Sequence, residues 1–562
     1  MVFAKAINEE KKVLLAAVNA KYIHTSLSVR TLYRYANSSN VEFAEYTINE
    51  HTFDVLKDIY EKHCNTVMFS CYIWNIEFVL EVAANLKKVS PKTQIILGGP
   101  EVTFDCEYYL EKYPFIDAIM YGEGEETLKE WLESGDDING MALRKNGEII
   151  KNPPRKAISD ITQIPFPYTD EDLEKNKNKL IYYESSRGCP FNCSYCISST
   201  DHGVRFRDIE AVKSELLKFT EHKVKIVKFT DRTFNANRKR TCELMKFLIG
   251  NADETTFHFE VAADLINDEV IEVLKTAPKG LFQLEIGVQS TNGRVIDAID
   301  RKTDFEKIRY AVTQIKEQCE IHMHMDLIAG LPYEDINSFK KSFDDVFSLR
   351  PDVLQLGFLK LLRGTKIREE ESLFNYRYTD NPPYEILEND FMTFDDILLL
   401  KGIEDVFEKY YNSGVFKRGI EYLLKQYESA FEFFKKLWEF YFEKGYNLVG
   451  QSRNSLYEIL CEFEGGQSEA FRDLLKMDYL ENNKNSSSPS WSLIPYDRDL
   501  LKLRFEILTE DFVNEYLSEY AEISVKEAVK FLHFERFLYR NEKREEHIVI
   551  FDRKYDRIVY VP

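Results

Sequence analysis

The stretch IYYESSRGCPFNCSYCISS, residues 181–199, decides how the chain is read. An apolar run closes on two serines and passes straight into a polar turn that carries three of the nine cysteines. Their spacing is Cys189-x3-Cys193-x2-Cys196, with Pro190, Asn192 and Ser194 between them, so the thiols belong to a turn and not to a buried strand. The other six, Cys64, Cys71, Cys106, Cys242, Cys319 and Cys461, stand singly in or beside apolar segments and read as small buried hydrophobes. An odd, scattered set is a poor disulfide framework and fits a reducing compartment. A zinc centre would bring a second cysteine pair or a histidine pair, and neither accompanies this turn. Iron–sulfur clusters ordinarily take four thiolates, so three on one loop leave one iron open to a ligand that is not protein.

Downstream of the turn, apolar runs and amphipathic stretches alternate. Strands are expected at 181–186, 225–230, 257–262, 281–288, 322–330 and 352–358, separated by helices such as Ile209–Glu221, Arg238–Ile249 and Ile336–Leu349. Six strand–helix units predict a partial or complete β/α barrel, whose chemistry sits at the carboxyl ends of the strands. The cysteine turn follows the first of these strands. Upstream, VLLAAV (13–18), TVMFSCY (66–72), QIILGG (94–99) and IDAIMYG (116–122) read as strands buried on both faces, with an amphipathic helix over Ile76–Val89. That alternation predicts a doubly wound parallel sheet, with ligands beyond the strand ends near Asn19–Thr25, Ser70–Asn75, Gly98–Thr103 and Gly122–Glu126.

The expected α/β organisation is therefore a Rossmann-like sheet over 1–135, a Pro- and Asn-rich linker over 136–180, a partial (β/α)6 TIM-type barrel over 181–372, and a mostly helical domain over 373–562. In that last region, aromatic amphipathic helices are expected to stop at Gly414 and Gly445, and a hairpin is expected around Asp552–Asp556. A net charge of −21 argues against a long phosphate-binding face and hence against a nucleic-acid partner. The start of the chain lacks a signal peptide's apolar core, and no apolar run reaches membrane-spanning length, so the reading is cytoplasmic without a membrane partner.

With these motifs in place, the sequence resembles the radical S-adenosylmethionine (radical SAM) superfamily, whose signature is CxxxCxxC after the first barrel strand with an aromatic before the last cysteine. Cys189, Cys193, Tyr195 and Cys196 match it. The resemblance implies a [4Fe-4S] cluster on the three cysteines, with S-adenosylmethionine chelated to the open iron and cleaved reductively to a 5′-deoxyadenosyl radical. It also implies cofactor contacts further along the barrel. These are Asp231 near the methionine end, Glu260 at the ribose, Glu285 and Gln289 in LEIGVQST, and Gly330 and Pro332 beside the adenine. Taken singly, Glu260 or Glu285 also reads as a salt-bridged strand residue, and Gly330-Leu331-Pro332 as a turn.

A parallel sheet before such a barrel resembles the cobalamin-binding subfamily, in which GGPxxT and GEGE-like loops line the corrinoid. Gly98, Gly99, Pro100 and Thr103, and then Gly122, Glu123, Gly124 and Glu125, match that pattern. The Asp-x-His-x-x-Gly motif that supplies an axial histidine elsewhere is absent; His24 lies on the right loop but reads as a hydrogen-bonded loop residue. Residues beyond 370 look like the uncharacterised domain that follows this pairing in some anaerobic bacterial members. What the resemblance implies is a cobalamin-dependent methyltransferase acting on an unactivated carbon (or phosphinate phosphorus) of a small molecule or peptide, fed by an electron donor such as flavodoxin or ferredoxin. The same cofactors also serve oxidation, cyclisation or ring contraction without methyl transfer. A cobalamin- or redox-sensing binding protein is the reading from a different class.

Overall fold

The computed structural model describes residues 12–200, 203–483, 487–495, 497–540 and 542–562. Two compact units divide the chain, the first ending at Phe394 and the second beginning at Asp395.

The first unit opens with β1 (Val13–Asn19), β2 (Val41–Thr47), β3 (Thr66–Ser70), β4 (Gln94–Gly98) and β5 (Ala118–Met120). They form a parallel sheet in the order β2-β1-β3-β4-β5. That order reverses direction between β1 and β3, which is where a doubly wound sheet opens a ligand crevice. β1 explains why the sheet is wound on both sides. Leu14, Ala16 and Val18 enter one hydrophobic core, and Val13, Leu15 and Ala17 enter the other. The helix Ile76–Val89 covers one face with Ile76, Val79, Val82, Ala83 and Leu86, all buried. Each of the larger side chains, Ile76, Val79, Val82 and Leu86, is worth about 1.5–3 kcal/mol of burial.

Two features of this sheet differ from the sequence reading. β2 was not among the expected strands because Glu42 and Glu45 interrupt its apolar run; it is an edge strand, where one flank needs no apolar cover. Part of the segment expected as a linker, 136–180, is sheet instead. β6 (Met141–Lys145) and β7 (Glu148–Lys151) form a hairpin over Asn146-Gly147, both at positive φ, and extend the sheet antiparallel beyond β5. Asn-Gly is the favoured two-residue hairpin turn, and it was the local signal for this element.

Next come β8 (Leu180–Tyr183), the short antiparallel ribbon β9 (Ser186–Cys189) and β10 (Gly203–Phe206), then β11 (Ile226–Phe229), β12 (Thr256–Val261), β13 (Phe282–Gln289), β14 (His322–Ala329) and β15 (Val353–Phe358). β8 and β11–β15 make a six-stranded parallel sheet in chain order, with β8 and β15 as its two edges: a partial barrel. Along β13 and β14, Leu284, Ile286 and Val288, and Met323, Met325 and Leu327, are fully buried. The alternate residues Glu285, His324 and Asp326 face the lumen, so the barrel is apolar beneath its helices and polar inside. Helix starts are set locally, as where the Asp208 side chain accepts from the amides of Glu210 and Ala211 to open Ile209–Glu221.

The first unit runs past the expected break at 372. The short hairpin β16 (Arg377–Tyr378) and β17 (Ile386–Glu388) belongs to it, with Ile386 packed so tightly on Gly330 that a Cβ there would lie 2.5 Å from its side chain. The second unit is mostly helical, as expected. Ala430–Lys444, capped by Ser429 and ended by Gly445 at φ 72°, is typical of it. Gly414 also lies at positive φ, just past a helix end. The expected hairpin at Asp552–Asp556 joins β19 (Lys543–Asp552) to β20 (Arg557–Tyr560), and β18 (Leu532–Arg540) completes a three-stranded antiparallel sheet. Among the described residues no helix is long and apolar enough to cross a membrane.

Candidate active site

A cavity of about 730 Å³ lies between the carboxyl ends of the first sheet and the mouth of the barrel. One wall is made by the loops after β1, β3, β4 and β5, including His24, Trp74, Gly98, Gly99, Pro100, Gly122 and Gly124. Tyr182, Glu184, Lys228, Arg232 and Glu260 of the barrel form the other, with Ile197, the neighbour of Cys196, at the edge.

The switch-point loop after β3 is held by Asn75. Its side-chain amide donates to the carbonyls of Val18 and Ser70, both at 2.9 Å, and its oxygen accepts from the Tyr72 amide at 2.7 Å. Gly99 sits at φ 108°, where a Cβ would lie 2.5 Å from the Cys71 carbonyl oxygen, so only glycine lets the two loops touch. Gly122, at φ 77°, faces open space instead. His24 Nδ1 lies 2.7 Å from the Tyr182 hydroxyl, which makes it a hydrogen-bonded loop residue at the cavity wall.

The cysteine turn is anchored from below. The buried Asp231 carboxylate accepts from the Ser185 amide (2.7 Å), the Ser185 hydroxyl (2.6 Å) and the Ser186 hydroxyl (2.6 Å). All three cysteines are free thiols; Cys193 is buried and its two partners are partly exposed. Burial pushes the Cys193 thiol up, Arg301 opposes this, and Cys196 and Cys189 add their own repulsion. Three free thiols on one turn, with Arg301 beside them, are the kind of soft donor set that an iron–sulfur cluster takes. Arg301 Nη1 lies 3.7 Å from the Cys193 sulfur and 3.2 Å from the Tyr195 hydroxyl.

Inside the lumen, Glu285 pairs with Lys228 at 2.7 Å and His258 at 3.0 Å, which together hold its carboxyl down to about 2. Burial, with His322 and His258 nearby, pushes His324 down to about 4. Burial raises the Glu260 carboxyl, and Glu285 adds to the rise against Arg232. Gln289 Oε1 and Asp326 Oδ1 have no hydrogen-bond partner among the described residues. Buried orphans of this kind at a barrel mouth suit a polar ligand.

Burial, then Glu285 and Glu260, lifts the Asp326 carboxyl from 3.8 to about 7. In the folded chain Asp326 therefore holds its proton up to about pH 7, and the stability tied to that proton is lost as pH rises from about 4 through 7. Asp326→Asn should consequently raise the thermal midpoint of the cofactor-free chain at pH 8 and change it little at pH 4, followed by circular dichroism. Equal midpoints at pH 8 would show that Asp326 is not strained there.

Several residues expected to touch cofactor have their polar groups engaged by the protein itself. Asp231 lies under the cysteine turn, its oxygens taken by the two serines. Thr103 turns its hydroxyl back onto the Gly99 carbonyl at 2.9 Å, capping its own helical turn. The Gly330 carbonyl accepts from Tyr376 (3.1 Å) and Asn389 (2.9 Å), so Gly330 and the neighbouring Pro332 form a turn covered by the β16–β17 region. Glu123 and Glu125 are ion-paired to arginines of the β9–β10 ribbon. Glu260, Gly98, Gly99, Pro100, Gly122, Gly124 and Glu125 do line the cavity, whereas Tyr195, Glu285 and Gln289 are not among its lining residues.

Arg301, Lys228, His258 and Asp326 were not singled out from sequence. The polar residues alternating through FHFEV and HMHMD were the available signal for a polar lumen. Arg301, in a loop with no motif, had none.

Such a cavity, with a nucleotide-sized sheet on one side and a three-thiol turn at a barrel mouth on the other, defines a two-cofactor redox or group-transfer class. Models of the B12 binding domain, the radical SAM superfamily and a protein family of unknown function (DUF4080) match residues 13–132, 183–346 and 372–551. The chain thus carries, in order, a B12 binding domain, a radical SAM domain and a DUF4080 domain, and its relatives include cobalamin-dependent radical SAM methyltransferases. An uncharacterized methyltransferase of Pyrococcus horikoshii is 26% identical over 386 residues, 62% of this chain and 82% of that protein. The cobalamin-dependent radical SAM methyltransferase TokK of Streptomyces tokunonensis is 27% identical over 371 residues, 60% of this chain; the match spans about half of TokK (53%). Among solved structures, the cobalamin-dependent S-adenosylmethionine radical enzyme OxsB has a TM-score of 0.59 at 15% identity, over 90% of this chain and 76% of its own, which establishes a shared fold. The matched domains imply a [4Fe-4S] cluster, S-adenosylmethionine and cobalamin.

Proposed function

We propose that the chain is a methyltransferase that places a methyl group on an unactivated carbon of a small molecule or peptide. The observation that carries this reading is the single cavity shared by the cobalamin-side loops and the barrel mouth, since methyl delivery needs both cofactors within reach of one substrate. When bound, the cluster with S-adenosylmethionine supplies a radical that abstracts substrate hydrogen, and cobalamin supplies the methyl group.

The protein's own part is to hold and orient. Cys189, Cys193 and Cys196 would hold the cluster, and Arg301 places positive charge 3.7 Å from the Cys193 sulfur. Gln289, Asp326 and Glu260 offer polar atoms to S-adenosylmethionine. Gly98, Gly99, Gly122 and Gly124 let a flat macrocycle approach the backbone closely. The Lys228–Glu285–His258 set keeps its charges paired within the lumen, so a substrate entering there meets a fixed and compensated field. A low-potential donor such as flavodoxin or ferredoxin would supply electrons. Nine free cysteines fit a cytoplasmic setting.

The test is anaerobic reconstitution with iron, sulfide and hydroxocobalamin, then reduction with S-adenosylmethionine and candidate substrates. S-adenosylhomocysteine and 5′-deoxyadenosine formed together with a methylated product support the reading. 5′-Deoxyadenosine without S-adenosylhomocysteine or methylated product would turn it to radical chemistry without methyl transfer.

The cobalamin wall has its own test. Gly122→Leu places a side chain into open cavity space at a backbone strain of about 1–3 kcal/mol, so the chain should fold and lose hydroxocobalamin binding by more than about tenfold. Gly99→Ala, clashing with the Cys71 backbone, should instead lower stability by about 2–4 kcal/mol in urea denaturation. Unimpaired cobalamin binding by Gly122→Leu would move the corrinoid away from this wall.

A further inference from the structure

Arg187 lies between Ser186, which Asp231 holds, and Cys189, the first thiol of the turn. Its guanidinium meets three carboxylates: Glu125 at 2.7 Å, Glu184 at 2.8 Å and Glu123 at 3.2 Å. Glu123 and Glu125 come from the loop after β5, on the cobalamin side of the cavity, and that loop also carries Gly122 and Gly124. In the β9–β10 ribbon Arg187 is directly opposite Arg205, just as Cys189 is opposite Gly203. Two guanidiniums facing each other across an antiparallel pair repel. Glu123 lies between them, 2.7 Å from Arg205, and its second oxygen accepts from the Ile158 amide at 2.7 Å.

The ribbon that starts at the cluster turn thus depends on carboxylates from the other domain. None of the five side chains is more than 22% exposed, so removal of one leaves its partners short of charge in a poorly solvated place.

We infer that Arg187 is a positioning residue that couples the two cofactor sites, so that a cluster assembled on Cys189 tightens cobalamin binding at the Gly122–Glu125 loop, and bound cobalamin tightens the cluster in return. This rests on the cofactor placement proposed above. The physical source is ordering: a filled cluster site immobilises the ribbon, Arg187 passes that order to Glu125 and Glu123, and the second cofactor then has less ordering to do. Linkage makes the effect equal in both directions.

The experiment measures hydroxocobalamin affinity of the full chain with and without a reconstituted cluster. The wild type should bind about tenfold tighter when the cluster is present, within the usual range for coupled sites. In Arg187→Gln the ratio should fall to about two or less, while iron and cobalt are still taken up. Arg187→Lys, which keeps charge but not the forked geometry, should retain part of the ratio, and so should Glu125→Gln. Should Arg187→Gln not fold, the two milder variants still report the ratio. Amide hydrogen exchange in the cobalamin-free wild type gives a second readout, with cluster assembly expected to slow exchange over residues 122–127. A wild-type ratio near one, a full ratio in every variant, or unchanged exchange each overturns the coupling. A wild type that binds no cobalamin overturns the cofactor placement instead, and the two failures are told apart by the cobalt measurement alone.

Discussion

Cys193→Ser should reduce the iron of anaerobically reconstituted protein from about four atoms per chain to well under one and bring reductive cleavage of S-adenosylmethionine below detection. Cys193 is the middle thiol of the turn and the most buried of the three, at 6% exposure, so no solvent ligand can take its place. Serine preserves shape but offers a hard, weakly acidic oxygen where iron–sulfur chemistry needs a thiolate. The surrounding backbone should survive, because the Ser194 amide still donates to the Ile299 carbonyl at 2.9 Å and the Ile367 amide to the Ser194 carbonyl at 3.0 Å. Far-ultraviolet circular dichroism should therefore match the wild type, and cobalamin should still bind, about tenfold more weakly if Arg187 couples the sites. Cys242→Ser, on the helix Arg238–Asn251, is the control and should leave iron unchanged. About four irons retained in Cys193→Ser would mean that the cluster is held elsewhere.

A second large effect is expected at Asp231. Truncation to alanine removes the acceptor for three hydrogen bonds at 2.6–2.7 Å and leaves the Ser185 amide and two hydroxyls buried without it. With about 1–3 kcal/mol for each stranded group and partial relaxation, the loss should be about 3–5 kcal/mol in denaturant unfolding. Iron uptake should fall with it, since these serines are the root of the cysteine turn. Asp231→Asn keeps one acceptor oxygen and should recover part of both. The opposite pattern, normal stability and iron content with weakened S-adenosylmethionine binding, would restore Asp231 to the cofactor-contact role that family resemblance implies.

Asp231 illustrates what can be read from the chain alone. Its importance was legible from FTDRTFN after a strand, but its task was not, because the serines that occupy its oxygens lie 45 and 46 residues earlier. Glu123 and Glu125 show the same limit. An acidic residue in a glycine loop has the same local signature whether it faces a cofactor or a guanidinium, and Arg187 is 62 residues away from Glu125. Glu285, by contrast, was expected either as a contact or as a salt-bridged strand residue, and the second description fits its pairing with Lys228 and His258. β2 and β7 escaped notice because they are the two edges of their sheet, where the apolar pattern that marks a buried strand is relaxed.

By itself the sequence determined what is local and periodic. The three-thiol spacing, the alternation of buried strands with amphipathic helices, and the glycines needed at tight loops are set by side-chain chemistry over a few residues. Tertiary structure decided which strand ends face each other, that they enclose one cavity, and which charges meet across it. Arg187 to Glu125, and Glu101 to Tyr384 at 283 residues' separation, are contacts that no window of sequence contains. They are set by the packing of a wound sheet against a barrel mouth, where burial makes each charge seek a partner wherever the fold brings one.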